Sequence, residues 1–390
     1  MKRQFLWILA IFFTCSSLTA FGQEQRTGEL SGSESNEQFT IATLNVDGLP
    51  QKLLVVNLNT EGPGSAGTAR IGKYLLKKGY DLVMMQEDFN YHDMLTVLLE
   101  DDYKFDEWSG DIGLEGHSID FLHLQNHRFP CDGLMACWKN DLTVAPAGRT
   151  PWLQNFGKFS HANDEIVTKG FRRYDVTLRG GDRIVVYNMH MDATLDEDEA
   201  EENAAKDRDA RLAQWGQLKD DVLQNLDSRP VIITGDLNSF YGRDDIKANF
   251  IDAINDSGRG TVADVWVELQ QQGVYPTETD VTELSNIRNG ESLDKIIYIN
   301  PTMGTKIKAV AFCIDKEGYL NDGKPLGDHY PVVATFQVES RGTATAIESL
   351  TTAPSVDGEQ SVYTIEGIRI NEQPTQKGVY IQNGKKTIIR

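Results

Sequence analysis

The segment Val231 to Ser239, VIITGDLNS, constrains this chain more than any other. Val231, Ile232, Ile233 and Thr234 are β-branched and form a short apolar run suited to a fully buried strand. The run stops at Gly235, whose backbone freedom lets the chain turn, and Asp236 and Asn238 stand at the strand's carboxyl end. Residues two apart on an extended chain project to the same side, so a carboxylate and a carboxamide face one site. A metal-binding group and an amide donor suit phosphate chemistry. The plainer reading is a strand that closes in an Asx turn, and the other segments decide between the two.

Polar residues gather at strand ends throughout. FTIATLNVDG, residues 39–48, alternates apolar and polar positions and ends at Asn45, Asp47 and Gly48. Thr68 to Lys78 has helical spacing and is followed by Gly79, a C-cap residue, and DLVMMQED then reads as a strand ending at Gln86 and Glu87. Helical patterns also cover Met94–Leu99, Asp198–Leu226 with an acidic start, and Ile246–Ile254. Further strands are expected at Gly133–Trp138, Tyr174–Leu178, Arg183–Met189, Leu293–Ile299, Ile307–Phe312 and Pro331–Val338, with Gly180-Gly181-Asp182 as a turn. Many strands with interspersed helices predict an α/β architecture of two packed sheets with helices outside.

The ends of the chain are different in kind. Lys2 and Arg3 precede an apolar run from Phe5 to Phe13 and small residues suited to cleavage after Ala20 or Gly22, so residues 1–22 read as a signal peptide. Lipid attachment at Cys15 is the alternative. Residues 23–38 lack apolar periodicity and read as a disordered linker. Removing the signal leaves Cys131, Cys137 and Cys313, an odd number that excludes a disulfide framework as the basis of stability, leaves room for one bridge and predicts buried thiols. Beyond Glu339 the composition shifts to Thr, Ala and Ser, and residues 345–390 read as a small β module with an Asn383-Gly384 hairpin turn. The acidic run at residues 192–203 lacks the alternation and central Gly of a calcium loop and reads as a solvated helix start. A net charge of −20 argues against a nonspecific nucleic-acid clamp, though not against a metal-using nuclease.

TLNVDG, MMQED, YNMHMD, GDLNS, SLDKI and GDHYPV, in this order, resemble the motifs of the endonuclease/exonuclease/phosphatase superfamily over Phe39 to Val338. The resemblance implies a four-layer α/β/β/α sandwich with the site at one end of its sheets. Within the superfamily the chain is most similar to secreted bacterial neutral sphingomyelinases, on NDEIVTKGF at residues 163–171 and on Arg211 with Gln214. Carried over, Glu87 holds a divalent cation with help from Asn45 and Asp328. Hard oxygen ligands favour Mg²⁺ or Mn²⁺. His329 is the expected general base, Asp294 orients its ring, Asp236 positions the water, Asn238 donates to the phosphate and His190 serves the leaving oxygen. Asn163 and Lys169 are the expected substrate contacts. The tail resembles the sorting modules of secreted Bacteroidetes proteins.

Two departures bear on substrate. Where sphingomyelinases carry an acidic pair for a second metal, this chain reads Cys131-Asp132, and CIDKEGYLNDGKPL at residues 313–326 replaces a membrane-entering Trp-Phe hairpin. The expected protein is a secreted or surface-associated monomer that hydrolyses a phospholipid head group, most simply phosphocholine from a sphingolipid, with peripheral membrane contact only. Trp152, Phe156 and Phe159 are candidate walls for a quaternary ammonium, against a plainer role in the core. An extracellular nuclease is the alternative activity, and a surface binding module the non-enzymatic one.

Overall fold

The computed structural model describes residues 37–53, 56–57, 59–110, 129, 131–157, 164–193, 201–244, 246–277, 287–288, 290–339, 362–364, 369–370, 377–382 and 385–389. The signal peptide, most of the linker, Asn163, Phe159, the centre of the acidic run and the Asn383-Gly384 turn lie outside them. Strand β1 (Gln38–Asn45) leads through helix α1 (Gly64–Lys78) to β2 (Leu82–Gln86), and β3 (Tyr103–Phe105), β4 (Met135–Lys139), β5 (Thr143–Pro151), β6 (Gly170–Thr177) and β7 (Arg183–His190) follow. The long helix α2 (Glu201–Asn225) carries the chain to β8 (Val231–Asp236), then come β9 (Gly260–Asp264), β10 (Asp294–Pro301), β11 (Lys306–Ile314) and β12 (Val332–Glu339).

Two six-stranded sheets result, in the orders β11-β12-β1-β2-β4-β3 and β9-β10-β8-β7-β6-β5. Each is built on one parallel pair joined through a helix, β1 with β2 and β7 with β8, flanked by antiparallel neighbours. Period-two alternation sets the layers. Ile232 faces the inter-sheet core with Phe39, Met84, Tyr174, Val186, Tyr298 and Phe336, while Val231 and Ile233 face outward onto Trp215, Leu218 and Val222 of α2. On the other sheet Leu44, Val83 and Met85 meet Ile71 and Leu75 of α1. This is a four-layer α/β/β/α sandwich, and a separate four-stranded antiparallel sheet is formed by segments between Val362 and Ile389.

Beneath the strand ends the sheets are tied by buried polar groups. Gln86 Nε2 donates to Asn188 Oδ1 at 2.7 Å, and Asn188 Nδ2 donates to the carbonyls of Met85 and Met135 at 3.0 and 2.9 Å. The strands that periodicity overlooks are β3, three residues long, and the edge strands β5 and β9. β5 contains Pro146, Gly148 and Pro151 and a register shift between Pro146 and Arg149, irregularities that only an edge tolerates. The helix expected at Ile246–Ile254 winds as a π-helix over Lys247–Asp252 before an α turn at Ala253–Asp256. Cys131 and Cys137 are buried thiols, but Cys313 is exposed. A bulge between Ala309 and Ala311 switches the parity of β11, so its inward residues change from Ile307 and Ala309 to Phe312 and Ile314.

Candidate active site

Three strand ends turn through a residue of positive φ, and two of them close in an Asx turn. Asn45 Oδ1 accepts the Asp47 amide at 2.9 Å, and Asp236 Oδ1 accepts the Asn238 amide at 3.0 Å. The Asx turn and the site are therefore one structure at GDLNS. Asp47, Glu87 and Asn238 all adopt positive φ, at 51°, 59° and 45°. The Glu87 turn is held by the Gly48 amide, which donates to its carbonyl at 3.1 Å, and a Cβ on Gly48 would lie 2.2 Å from that oxygen.

Register then assembles the side chains. Asp236 pairs with His190 on one neighbouring strand and with Asp294 on the other. His329 Nδ1 lies 2.6 Å from Asp294 Oδ2, which makes Nδ1 the donor and turns Nε2 toward Asp236 Oδ2, 3.6 Å away. Burial works against charge on His329, but Asp294, Asp236 and Asp328 outweigh it and hold its pKa well above the ordinary value. From the opposite sheet, Asn45 Nδ2 donates to Asp236 Oδ2 at 3.1 Å and to Glu87 Oε1 at 2.9 Å. His190 Nε2 lies 3.5 Å from Asp236 and 3.9 Å from Glu87. Burial, then Lys169 and His329, keep the His190 ring neutral. Asn238 Nδ2 donates to the Met191 carbonyl at 3.1 Å, which fixes its carboxamide beside the same strand ends.

Lys169 sits deeper than a substrate contact at the surface would. It is buried, ion-paired with Asp164, and its Nζ is 3.1 Å from His190 Nε2. The candidate wall residue Trp152 belongs to the core: it packs on Phe171 and donates Nε1 to the His190 carbonyl at 2.7 Å. Phe156 is half-buried, with Lys206 Nζ 5.3 Å from its ring centre. Arg211 and Gln214 act through Asp192, the last residue of YNMHMD. Gln214 Nε2 donates to Asp192 Oδ1 at 2.7 Å and Gln214 Oε1 accepts the Asp192 amide at 3.0 Å, while Arg211 donates to the Asp192 carbonyl at 3.2 Å. Asp132 is engaged by Arg172, through Nε at 2.8 Å and Nη2 at 2.6 Å, so its carboxylate is already satisfied by a cation.

The residues fit a divalent cation at the Asn45–Glu87 corner. Burial, and next the charge of Asp328, raise the Glu87 carboxyl to about 7, and burial, Asp328 and Glu87 raise Asp47 to about 8. Three carboxylates crowd there with more negative charge than the nearby amides offset, and all their donors are hard oxygens. Asp236, Asp294 and His329 also bring one ligand atom each within 4.8 Å of one another. Hydrogen bonds already occupy that trio, and its imidazole favours a proton, so the acidic corner is the better cation site. Asp47 was visible in TLNVDG and Asp192 in YNMHMD, yet neither stood out before their burial was known.

The sequence profile of the Endonuclease/Exonuclease/phosphatase family matches residues 42–298. The chain belongs to this family. Its matched region runs from β1 to β10 and so includes both parallel pairs that carry the site. Among curated members, a protein named sphingomyelinase from Mycobacterium tuberculosis is 28% identical over 324 residues, covering 82% of this chain and 56% of that protein. The chain thus spans a little over half the length of that relative. Solved structures with a similar fold include sphingomyelinase C from Streptomyces griseocarneus, at 18% identity and a TM-score of 0.48 over 77% of this chain and 99% of that one. TDP2 of D. rerio complexed with single strand DNA product aligns at 17% identity and a TM-score of 0.49, over 77% and 99%.

Proposed function

We propose that this protein is a secreted, Mg²⁺-dependent phosphodiesterase that releases the phospho-head group of sphingomyelin or a related phosphosphingolipid, acting as a monomer after loss of residues 1–22. The chemistry rests on one observation above the rest: His329, anchored at 2.6 Å by Asp294, faces Asp236 across 3.6 Å. The substrate class rests on the relatives named sphingomyelinase.

In this reading His329, in its neutral form, takes a proton from water oriented by Asp236, and the water oxygen attacks phosphorus while the bond to the ceramide oxygen breaks. The carboxylates around His329 favour the imidazolium that forms. Asn238 donates to a phosphoryl oxygen, and the Lys169–His190 pair supplies a proton to the departing oxygen. Glu87, with Asn45, Asp47 and Asp328 beside it, would hold the divalent cation, which would supply Lewis-acid stabilisation of developing phosphoryl charge. The β module at residues 345–390 serves sorting to the cell surface.

The test is head-group release from sphingomyelin and double-stranded DNA cleavage, assayed side by side in Mg²⁺ and in chelator. Lipid turnover that chelator abolishes is expected, with Glu87→Gln lowering it by orders of magnitude in a folded protein. Turnover should be slower on intact bilayers than on detergent-dispersed lipid. Tyr319, the aromatic residue of segment 313–326, is fully buried against Tyr74, and the hairpin Leu320–Pro325 presents exposed Leu320, Lys324 and Pro325 but no aromatic ring. Efficient DNA cleavage without lipid turnover would replace this reading with a nuclease.

A further inference from the structure

Beside the candidate site, in a chain of net charge −20, Arg243, Arg288 and Lys295 all lie near the ring of Phe240. Arg211 and Arg243 share a single carboxylate: Asp244 Oδ1 meets Arg211 Nη2 at 2.8 Å, and its Oδ2 meets Arg243 Nε at 2.7 Å. Lys295 is neutralised separately by Glu291 at 2.7 Å. Arg288 makes neither a hydrogen bond nor an ion pair with any described residue, and its Nε is buried without a partner. Its guanidinium lies 5.1 Å from the ring centre of Phe240, and that of Arg243 lies 5.3 Å from the same ring.

Phe240 is fully buried, so the two partly exposed guanidinium groups are gathered on a rigid platform. Burial pushes the Arg243 pKa down, Asp244 opposes that, and repulsion from Arg211 and Arg288 adds to it. This spot adjoins the candidate site, because Arg243 Nη2 donates to the carbonyl of Asn238. An anion between Arg243 and Arg288 would satisfy Arg288, which has no described ion pair, and relieve its repulsion of Arg243, whose carboxylate partner Asp244 is shared with Arg211. Planar guanidinium forks fit carboxylate and phosphate oxygens best.

We propose that Arg243 and Arg288 form a second anion subsite beside Asn238, which takes an additional carboxylate or phosphate carried by the substrate's head group. This rests on the phosphodiesterase reading above and sharpens it: head groups with a second negative group are preferred over phosphocholine. The decisive measurement is calorimetric binding of O-phosphoserine and of phosphoethanolamine, which differ by one carboxylate, to the full-length wild type and to Arg288→Gln in Mg²⁺.

Wild type should bind O-phosphoserine about 10-fold more tightly, Arg288→Gln should abolish that difference, and Arg288→Lys should restore part of it. Turnover of bis(p-nitrophenyl) phosphate, which lacks a second anion, should be the same in Arg288→Gln and wild type, and that also reports that the variant is folded. Equal binding of the two ligands by wild type, or an equal loss of both in Arg288→Gln, overturns the subsite. Absence of bis(p-nitrophenyl) phosphate turnover in wild type instead defeats the phosphodiesterase reading, while the binding difference still decides the subsite.

Discussion

His329 has one nitrogen fixed by Asp294 and the other free to act, so removing the ring and removing its anchor have different consequences. His329→Ala should lower kcat by roughly 10²- to 10⁴-fold, the usual contribution of a general base. Asp294→Asn should lower kcat less and leave KM nearly unchanged, since the ring remains but is loosely held; a steady-state comparison of the two variants checks this, and an Asp294→Asn loss confined to KM would contradict it. Gly235 is a second sensitive residue. It has φ 148°, and a Cβ there would stand 2.0 Å from the Met189 carbonyl on the neighbouring strand. Gly235→Ala should therefore cost about 1–3 kcal/mol in urea unfolding and displace Asp236. Both sites were legible in SLDKI, GDHYPV and GDLNS, because a polar residue that ends an apolar run is visible in one dimension. The roles of Lys169 and Asp192 were not, because a charge deep in the protein is defined by what encloses it.

The segment after β11 is fastened to α1 through Asp315, which pairs with Lys78 and accepts from Tyr74 Oη at 2.6 Å. Burial opposes ionisation of Asp315, but the Lys78 and Tyr74 hydrogen bonds prevail and hold its pKa below 3.8. A depressed carboxyl stabilises the folded state fully above its unfolded pKa and progressively less as pH falls through the folded one. Asp315→Asn should thus destabilise by about 1 kcal/mol at neutral pH, after allowing for solvent screening, and the difference from wild type should shrink below pH 4. Thermal melts at pH 7 and pH 3 test it, and a gap that widens in acid would be contrary. The central strands β1, β2, β7, β8, β10 and β12 were readable because burial on one or both faces writes a period into the sequence. β5 and β9 lie at an edge, where solvent relaxes that pattern, and α1 begins at Gly64 rather than near Thr68 because its first turn, GSAG, carries no apolar stripe.

Between the sheets, Phe336 stacks on Phe39 with centroids 5.7 Å apart and meets Tyr298 edge-on at 5.4 Å. Phe336→Ala should cost about 3–5 kcal/mol by denaturant unfolding, the range for emptying a fully buried aromatic site. Sandwich topology followed from the order of strands and helices, whereas the lateral sheet order, with β12 beside β1 and β4 beside β2, depends on long-range pairing that no local pattern encodes. The polar tie of Gln86 to Asn188 has a wider consequence. Asn45 and Glu87 come from one sheet, and His190, Asp236 and Asp294 from the other, so the reacting groups belong to the seam and to neither half. Loosening the seam would separate these groups whichever sheet kept its fold, and a fragment holding one sheet would carry only part of the candidate site.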